Sequence, residues 1–306
     1  MLLDDKLIPI KTRLDLEKQQ YRIIGNHSAV KICHWTKAGL VSDRVCFKQK
    51  WYNIRSHRCL QCSTWLACLN KCIYCWRSVR SFGKTTPIDE PSELIDEMIK
   101  QQRLLLSGFK GYEKVDKKKW KESQNPNNVA LSLIGESLLY PKLSEVLKEF
   151  HKRKFTSFLV TKGTLPKKLS ALDEEPTNLY ISVCAPDKEI YEKVDRPLIP
   201  NGWEKQMESL ELMKSFNCNK VIRITLVKGW NMNHPEKYAK LILKAEPDFI
   251  EPKAFIHIGE AQQRLPRDTM PSMEDVREFA KKLSEFTEYI IKDEDIASRV
   301  VLLTKK

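Results

Sequence analysis

The sequence predicts an α/β protein built as an open or partial barrel, and three observations support that prediction. From residue 58 onward, short β-rich apolar runs alternate with amphipathic helical stretches. This alternation is typical of parallel strands joined by crossover helices. The pattern provides six β/α units, too few for a closed eight-stranded barrel. Residues 1–57 are instead polar and irregular, so we expect them to form an extension.

Each element follows from its own pattern. The predicted strands are 58–66, 129–134, 155–160, 179–183, 221–227 and 249–255. The predicted helices are about 90–107, 141–152, 203–216 and 235–245, and several have clear start signals, such as Pro91-Ser92-Glu93. A last helix at about 274–291 and a strand at 300–303 would close the chain. The predicted domains are an N-terminal extension (1–57), the partial barrel (58–260) and a C-terminal cap (261–306).

Composition excludes several classes of protein. With 42% hydrophobic and 30% charged residues in 306, the chain is not mainly disordered. It has no apolar run near the roughly 18 to 20 residues of a membrane span. It also has no apolar secretory region near Met1, so we expect a cytoplasmic protein. The 53 Lys and Arg residues against 40 Asp and Glu residues favour a polyanionic partner, although a basic enzyme would look the same.

The strongest motif is a run of cysteines that follows the first predicted strand. Cys68, Cys72 and Cys75 form a C-x3-C-x2-C pattern. Three thiolates within eight residues can bind three corners of a cubane cluster and leave one iron open. Tetrahedral zinc would need a fourth ligand, for which Cys62 or Cys59 is available. Both metals remain possible at this point.

This run, its position after the first strand and Tyr74 before the last cysteine resemble the radical SAM superfamily. The resemblance implies that Cys68, Cys72 and Cys75 bind a [4Fe-4S] cluster whose open iron is chelated by S-adenosyl-L-methionine (SAM). One electron would then cleave the sulfonium and give a 5′-deoxyadenosyl radical. Tyr74 counts among the implied cofactor-binding residues.

For a second set of cysteines, only the residues around them in the sequence indicate a role as metal ligands. Cys33, Cys46 and Cys59 are widely spaced, which by itself is a weak ligand signal. The stretches 46–52, 57–61 and 75–77 resemble the archaeal 4-demethylwyosine synthases, radical SAM enzymes of wybutosine biosynthesis on tRNA-Phe. The resemblance continues through 131–136, 140–141 and 185–187, and covers about residues 28–270. It implies a second [4Fe-4S] cluster on these three cysteines. Cys62 stands where we expect methionine, and we interpret it as a neutral replacement.

The same resemblance implies further site residues. Gly135 and Glu136 end the second strand, where a carboxylate would accept the amino group of SAM; alternatively, Glu136 caps a helix. Ser182 would meet the ribose, and Arg223 would pair with the SAM carboxylate, unless either is a satisfied core residue. Lys48 matches a lysine proposed to bind pyruvate as a Schiff base. In the rival view, pyruvate chelates the open iron of the second cluster and Lys48 neutralises its carboxylate.

The implied reaction converts 1-methylguanosine at position 37 of tRNA-Phe to 4-demethylwyosine, a carbon–carbon lyase reaction with pyruvate as co-substrate. We expect an external electron donor, a ferredoxin or flavodoxin. The lysine-rich stretches 110–121, predicted as a solvated loop, and 148–168 would contact tRNA phosphates, and Trp76, Tyr140 and Trp230 are candidates for stacking on the base. Two alternatives remain: a radical SAM enzyme with another substrate, and a zinc-ribbon RNA-binding protein, although outside the run of Cys68, Cys72 and Cys75 only Cys59 and Cys62 have C-x2-C spacing.

Overall fold

The computed structural model describes residues 7–77 and 86–306. The first six residues of the predicted extension therefore lie outside the described residues. The chain divides into two compact units. The first unit takes in the described residues of 1–67, 80–160 and 172–177, and the second takes in those of 68–79, 161–171 and 178–306.

The first unit contains six α-helices and five strands in its described residues. The helices are α1 (Ile10–Lys18), α2 (His34–Val41), α3 (Phe47–Trp51), α4 (Pro91–Ser107), α5 (Lys117–Ser123) and α6 (Leu143–Lys152). The strands are β1 (Arg22–Ile24), β2 (Ser28–Val30), β3 (Cys59–Ser63), β4 (Asn128–Leu131) and β5 (Thr156–Thr161). Strands β3, β4 and β5 pair in parallel, so that Cys59 lies opposite Asn128 and Asn128 opposite Thr156. Strands β1, β2 and β3 pair antiparallel.

Apolar patterning explains how this unit packs. Helix α6 buries one stripe, Leu143, Val146, Leu147 and Phe150, at the spacing typical of a helix packed on a sheet. All four residues of β4 are buried, as expected of a strand covered on both faces. A separate core joins α1 to the segment that follows β4, through Leu16, Leu133 and Ile134. This packing fixes the position of the chain at Gly135 and Glu136.

The second unit also alternates strands and helices. Its helices are α7 (Pro166–Ser170), α8 (Lys188–Val194), α9 (Gly202–Met213), α10 (Pro235–Ala245) and α11 (Met273–Glu285). Its strands are β6 (Asn178–Ser182), β7 (Asn219–Leu226), β8 (Phe249–Ala254), β9 (Tyr289–Asp295) and β10 (Val300–Lys305). Strands β6, β7 and β8 pair in parallel, and β10 pairs antiparallel with both β8 and β9. The register places Ser182 opposite Arg223 and Arg223 opposite Glu251.

All six predicted barrel strands are present, as β3 to β8, and the predicted helices between them are present as α4, α6, α9 and α10. Three expectations were wrong. The extension before residue 58 is not irregular, because α1, α2, α3, β1 and β2 lie within it. The basic stretch 110–121 ends in helix α5, which Asp116 caps by accepting hydrogen bonds from two backbone amides. The last helix stops at Glu285, and Tyr289 begins β9.

No helix in the described ranges is long and apolar enough to span a membrane. The division into 1–57, 58–260 and 261–306 stays a prediction.

Candidate functional site: two cysteine clusters and their surroundings

The loop that carries Cys68, Cys72 and Cys75 lies in the second unit and is held there by backbone hydrogen bonds. It runs antiparallel to the segment after α8: Ile73 N donates to the Val194 carbonyl at 2.9 Å, and Lys71 N donates to the Arg196 carbonyl at 3.0 Å. Leu198 N donates in turn to the Leu69 carbonyl at 2.8 Å. These hydrogen bonds fix the backbone path of the loop.

Of the three cysteines of this loop, Cys72 is buried, and Cys68 and Cys75 are half-buried. Burial raises the pKa of Cys72 well above its usual range, and the carboxylate of Asp195 raises it further. Burial also raises the pKa of Cys75, whereas nearby cations, including Arg264 and Lys162, lower it. Metal binding removes thiol protons, so these cations favour the ligating form.

A buried ion pair contacts the cysteine loop through Tyr74. Lys162, just after β5, places its Nζ 2.8 Å from Asp195 Oδ2, and Asp195 is completely buried. Tyr74 donates its hydroxyl hydrogen to Asp195 Oδ1 at 2.7 Å. Lys162 Nζ also donates to the carbonyl of Ser182 at 3.0 Å. One lysine thus ties Tyr74 of the cysteine loop to the end of β6.

The two predicted SAM contacts of the second unit lie on neighbouring strands. Ser182 ends β6, and Arg223 lies opposite it on β7. Arg223 Nε donates to Glu251 Oε2 at 2.8 Å, and its Nη2 contacts the same oxygen. Glu251 is fully buried and also accepts a hydrogen bond from the Tyr180 hydroxyl at 2.9 Å. Arg223 therefore already has a protein carboxylate as a partner, and its role toward SAM stays a prediction.

Gly135 and Glu136 follow β4 in the first unit. Gly135 has φ +80°, and a Cβ there would lie 2.1 Å from the carbonyl oxygen of Trp65, so only glycine fits. Glu136 is buried, and its backbone N donates to the Ala67 carbonyl at 2.8 Å. Its carboxylate accepts from Leu138 N at 3.2 Å, which is the capping role weighed above. That bond leaves the binding role untested.

The cysteines of the second set lie at the starts of three secondary-structure elements in the first unit. Cys33 precedes α2, Cys46 precedes α3, and Cys59 begins β3. Ser56 connects the two helices, because its Oγ accepts from Cys46 N at 2.9 Å and its carbonyl accepts from Thr36 at 3.0 Å. The structure therefore brings together three cysteines that are widely separated in sequence.

Electrostatics shows that these thiols and Lys48 share one environment. Burial raises the pKa of the Cys59 thiol well above its usual range, and Cys33 and Cys46 raise it further. The charge of Lys48 acts on the same thiol in the opposite direction. Lys48 Nζ lies 4.0 Å from the ring centroid of Phe158, a fully buried residue of β5. The predicted pyruvate lysine thus lies beside the predicted second cluster.

The possible ligands of the two sets are cysteine thiols, three in each set. No group of three or more His, Cys, Asp or Glu side chains that could hold one metal ion occurs among residues 7–77 and 86–306. A cubane holds its cysteine sulfurs further apart than a single zinc ion does, and each set offers three thiols. A cubane bound by three thiols would have one iron without a protein ligand.

The stacking candidates differ in accessibility. Tyr140 is 1% exposed and donates its hydroxyl hydrogen to the Asp89 carbonyl, so it is not available to stack on a base, and that expectation was wrong. Trp230 is partly buried against the core around Ile73. Trp76 is 37% exposed, and the Arg77 guanidinium lies 3.4 Å from its ring centroid. Trp76 remains the best placed of the three.

Sequence reasoning missed several residues that the structure places at these sites. They are Phe158, Asp195, Glu251 and Arg264. Each is a common residue type outside any motif. The only local signal is an ionisable residue within an apolar run, as for Glu251 in β8. Lys162 was expected among the tRNA-contacting lysines of 148–168, and that expectation was wrong, because Lys162 is buried in an ion pair with Asp195.

Two family models together match most of this chain. Residues 63–242 match the radical SAM superfamily model, and residues 244–305 match a model described as wyosine base formation. The tRNA 4-demethylwyosine synthase of Pyrococcus horikoshii is 50% identical over 296 residues, which covers 94% of this chain and 86% of the relative. The human synthase is 36% identical over 301 residues, or 95% of this chain and 40% of the relative.

Two solved structures are similar over nearly the whole chain. One is described as TYW1 with a lysine-pyruvate adduct bound; it has a TM-score of 0.88 and 34% identity, covering 98% of this chain and 97% of that chain. The other is an archaeal TYW1 with a TM-score of 0.81 and 32% identity, covering 97% and 96%.

Proposed function

The chain belongs to the S-adenosyl-L-methionine-dependent tRNA 4-demethylwyosine synthases, radical SAM enzymes of the wybutosine pathway, and we propose that it acts on 1-methylguanosine at position 37 of tRNA-Phe. Family membership confirms the predicted fold class, a partial (β/α)6 barrel of the radical SAM type with terminal extensions. It also leaves no support for the zinc-ribbon alternative. The substrate is tRNA, and the position and the tRNA species are the proposed part.

SAM and one [4Fe-4S] cluster are the cofactors of the family. We assign this cluster to Cys68, Cys72 and Cys75, and when bound with SAM it supplies a 5′-deoxyadenosyl radical. Gly135, Glu136, Ser182, Arg223 and Tyr74 are the residues proposed to bind SAM. For Gly135, the support is steric: an absent side chain allows close backbone approach.

A second [4Fe-4S] cluster on Cys33, Cys46 and Cys59 is part of the proposal. The observation that supports it is that Cys33, Cys46 and Lys48 all act electrostatically on the Cys59 thiol, and all four residues are half-buried. We propose that Lys48 forms a Schiff base with pyruvate. Its amine attacks the carbonyl carbon, a C=N bond forms, and the carbonyl oxygen leaves as water. A related solved structure contains a lysine-pyruvate adduct, which supports a lysine in this role.

The proposed chemistry then joins the two substrates. The N1-methyl carbon of guanosine, after loss of a hydrogen atom, adds to pyruvate. Scission of the bond between the former carbonyl carbon and the carboxylate releases the carboxyl carbon together with the unpaired electron, which passes to the external electron carrier. The amino nitrogen of guanosine then attacks the former carbonyl carbon and displaces the Lys48 amine, which closes the third ring. Holding pyruvate covalently replaces a bimolecular encounter with a positioned one. The reductant is an external ferredoxin or flavodoxin, and the cytoplasmic location belongs to the proposal as well.

The decisive experiment compares two lysines of the same short helix. Reconstituted protein is incubated with pyruvate and borohydride, which reduces a Schiff base to a stable adduct, and the modified residue is identified by mass spectrometry. Lys48→Ala should abolish the adduct and the pyruvate-dependent product, whereas Lys50→Ala, an exposed position on α3, should retain both. Product at the wild-type rate from Lys48→Ala would eliminate the Schiff-base role.

A separate measurement tests the cofactor content. Anaerobic reconstitution followed by an iron and sulfide count should give about eight of each per chain if both clusters form. Four of each would retain the radical chemistry and eliminate the second cluster. In that case the pyruvate site would need another explanation.

A further inference from the structure

Arg264 reaches the cysteine loop from the C-terminal part of the second unit. Its Nε donates to the carbonyl of Ile73 at 3.1 Å, and its Nη2 donates to the carbonyl of Cys75. The guanidinium thus holds the backbone on both sides of Tyr74. Cys75 is one of the three proposed ligands, so this fork acts directly on a ligating residue.

The backbone around Arg264 approaches the loop closely as well. Glu260 N donates to the Trp76 carbonyl at 3.2 Å. Gly259 has φ +56°, and a Cβ at this position would lie 2.3 Å from the same carbonyl oxygen. A side chain would force the two segments apart, so the contact requires glycine here.

Apolar packing fixes the same pair of segments. Ala261 and Leu265 are buried in one core with Ile73. His257 Nε2 lies 2.7 Å from the Leu265 carbonyl and closes the turn that carries Arg264. Hydrogen bonds, close backbone approach and packing therefore all join residues 257–265 to residues 73–76.

The two segments come from different family matches. The cysteine loop lies in the radical SAM match, 63–242, and Arg264 lies in the wyosine base formation match, 244–305. A segment that matches the wyosine base formation model thus contacts the cysteine loop, and that loop lies in the match to the broader radical SAM superfamily.

We propose that Arg264 is a positioning residue for the cluster of Cys68, Cys72 and Cys75: it fixes the loop with its two hydrogen bonds, and its charge makes the cluster easier to reduce. Reduction adds negative charge to the cluster, and a nearby cation stabilises that charge. The inference rests on the proposed cluster ligands and on neither pyruvate nor tRNA.

Two variants separate the effect of the Arg264 charge from the effect of its two hydrogen bonds. Arg264→Gln removes both, while Arg264→Lys retains the charge and loses the bidentate geometry. Arg267→Gln is the matched control, because Arg267 is an exposed arginine three residues along the same segment. The readouts are the midpoint potential of the cluster whose EPR signal responds to SAM, and the rate of iron loss to a chelator.

We expect Arg264→Gln to shift the potential to more negative values and to speed iron loss about 10-fold or more, as for other residues that orient metal ligands. Arg264→Lys should retain the wild-type potential but still lose iron faster, and Arg267→Gln should match wild type in both. Wild-type potential and iron loss in Arg264→Gln would overturn the inference.

If Arg264→Gln takes up no iron, thermal unfolding of the metal-free protein decides. Unfolding at the wild-type temperature supports a role specific to the cluster, and unfolding at a clearly lower temperature overturns it in favour of a general structural role. Because no assay here contains pyruvate or tRNA, failure of the proposed reaction would leave these results unaffected.

Discussion

Lys48 Nζ lies 4.0 Å from the ring centroid of Phe158, on the face of a fully buried aromatic side chain. Because a ring face attracts a cation and restricts the amine to one position, Phe158 holds Lys48 where its charge reaches Cys59. This contact joins the end of the N-terminal extension to a strand of the predicted barrel within one unit.

Phe158→Leu should slow formation of the pyruvate–Lys48 adduct about two- to fivefold, because the side chain loses the contact that restricts it. The measurement is the rate of adduct trapping by borohydride. Phe150→Leu is the matched control, since Phe150 is also fully buried in the first unit but packs against Phe155. Equal rates in the two variants would contradict the role of Phe158.

Much of the fold could be predicted because strands and helices of a barrel repeat a simple pattern. Buried strands such as β4 and amphipathic helices such as α6 are visible as apolar runs and stripes. The predicted last helix extends too far, to residue 291, because Tyr289, Ile290 and Ile291 continue its apolar spacing. Their β-branched and aromatic side chains also suit a strand, and pairing with β10 decides between the two.

The candidate site was predictable only where a motif exists. Cys68, Cys72 and Cys75 were predicted from their spacing, whereas Cys33, Cys46, Cys59 and Lys48 were predicted only from the resemblance of the stretches around them to a known family. Asp195, Glu251 and Arg264 depend on pairing across distant segments, as when Arg264 contacts Cys75 from 189 residues away. No local pattern marks such a residue, so only the folded chain shows its partner.

Replacing the three exposed lysines of α5, Lys117, Lys118 and Lys121, by glutamine should weaken tRNA binding without changing its sequence preference. Each lost phosphate contact should reduce the slope of log affinity against log salt by about 0.7 to 0.9. The measurement is the affinity for tRNA-Phe at several salt concentrations. The control variant replaces the exposed Lys240, Lys281 and Lys292, and an equal change in slope there would argue against α5 as the contact.

Breaking the buried ion pair of Lys162 and Asp195 should strongly destabilise the protein. Lys162→Met leaves Asp195 as a buried carboxylate without its cation, at a cost of about 3 to 5 kcal/mol in the free energy of unfolding. The double variant Lys162→Met, Asp195→Asn should lose less than the sum of the two single changes. Urea unfolding of the metal-free protein measures these energies.

The control for that cycle is an ion pair of the same type on the surface. Lys193 pairs with Glu189 at 2.6 Å, and both side chains are more than half exposed. Lys193→Met should change stability little, because solvent already screens the pair. Comparable losses at both sites would indicate that burial is not the source of the effect.

His27 is fully buried, and its Nε2 lies 3.1 Å from Asp89 Oδ2. Its Nε2 accepts from Asp89 N at 3.1 Å, so the hydrogen lies on Nδ1, which donates to the Thr64 carbonyl at 2.7 Å. Burial lowers the pKa of His27 below its usual 6.5, although Thr64 and Asp89 act in the opposite direction. A proton on Nε2 would break the bond from Asp89 N.

The shift predicts a loss of stability on mild acidification. Between the lowered folded pKa and the unfolded value of 6.5, the unfolded chain binds more protons, so the free energy of unfolding falls as pH drops below about 6.5. His27→Gln should be less stable at pH 8, yet it should lose this part of the pH dependence. Urea unfolding at pH 5.5, 6.5, 7.5 and 8 measures both. Parallel curves for the variant and the wild type would show that His27 does not carry the effect.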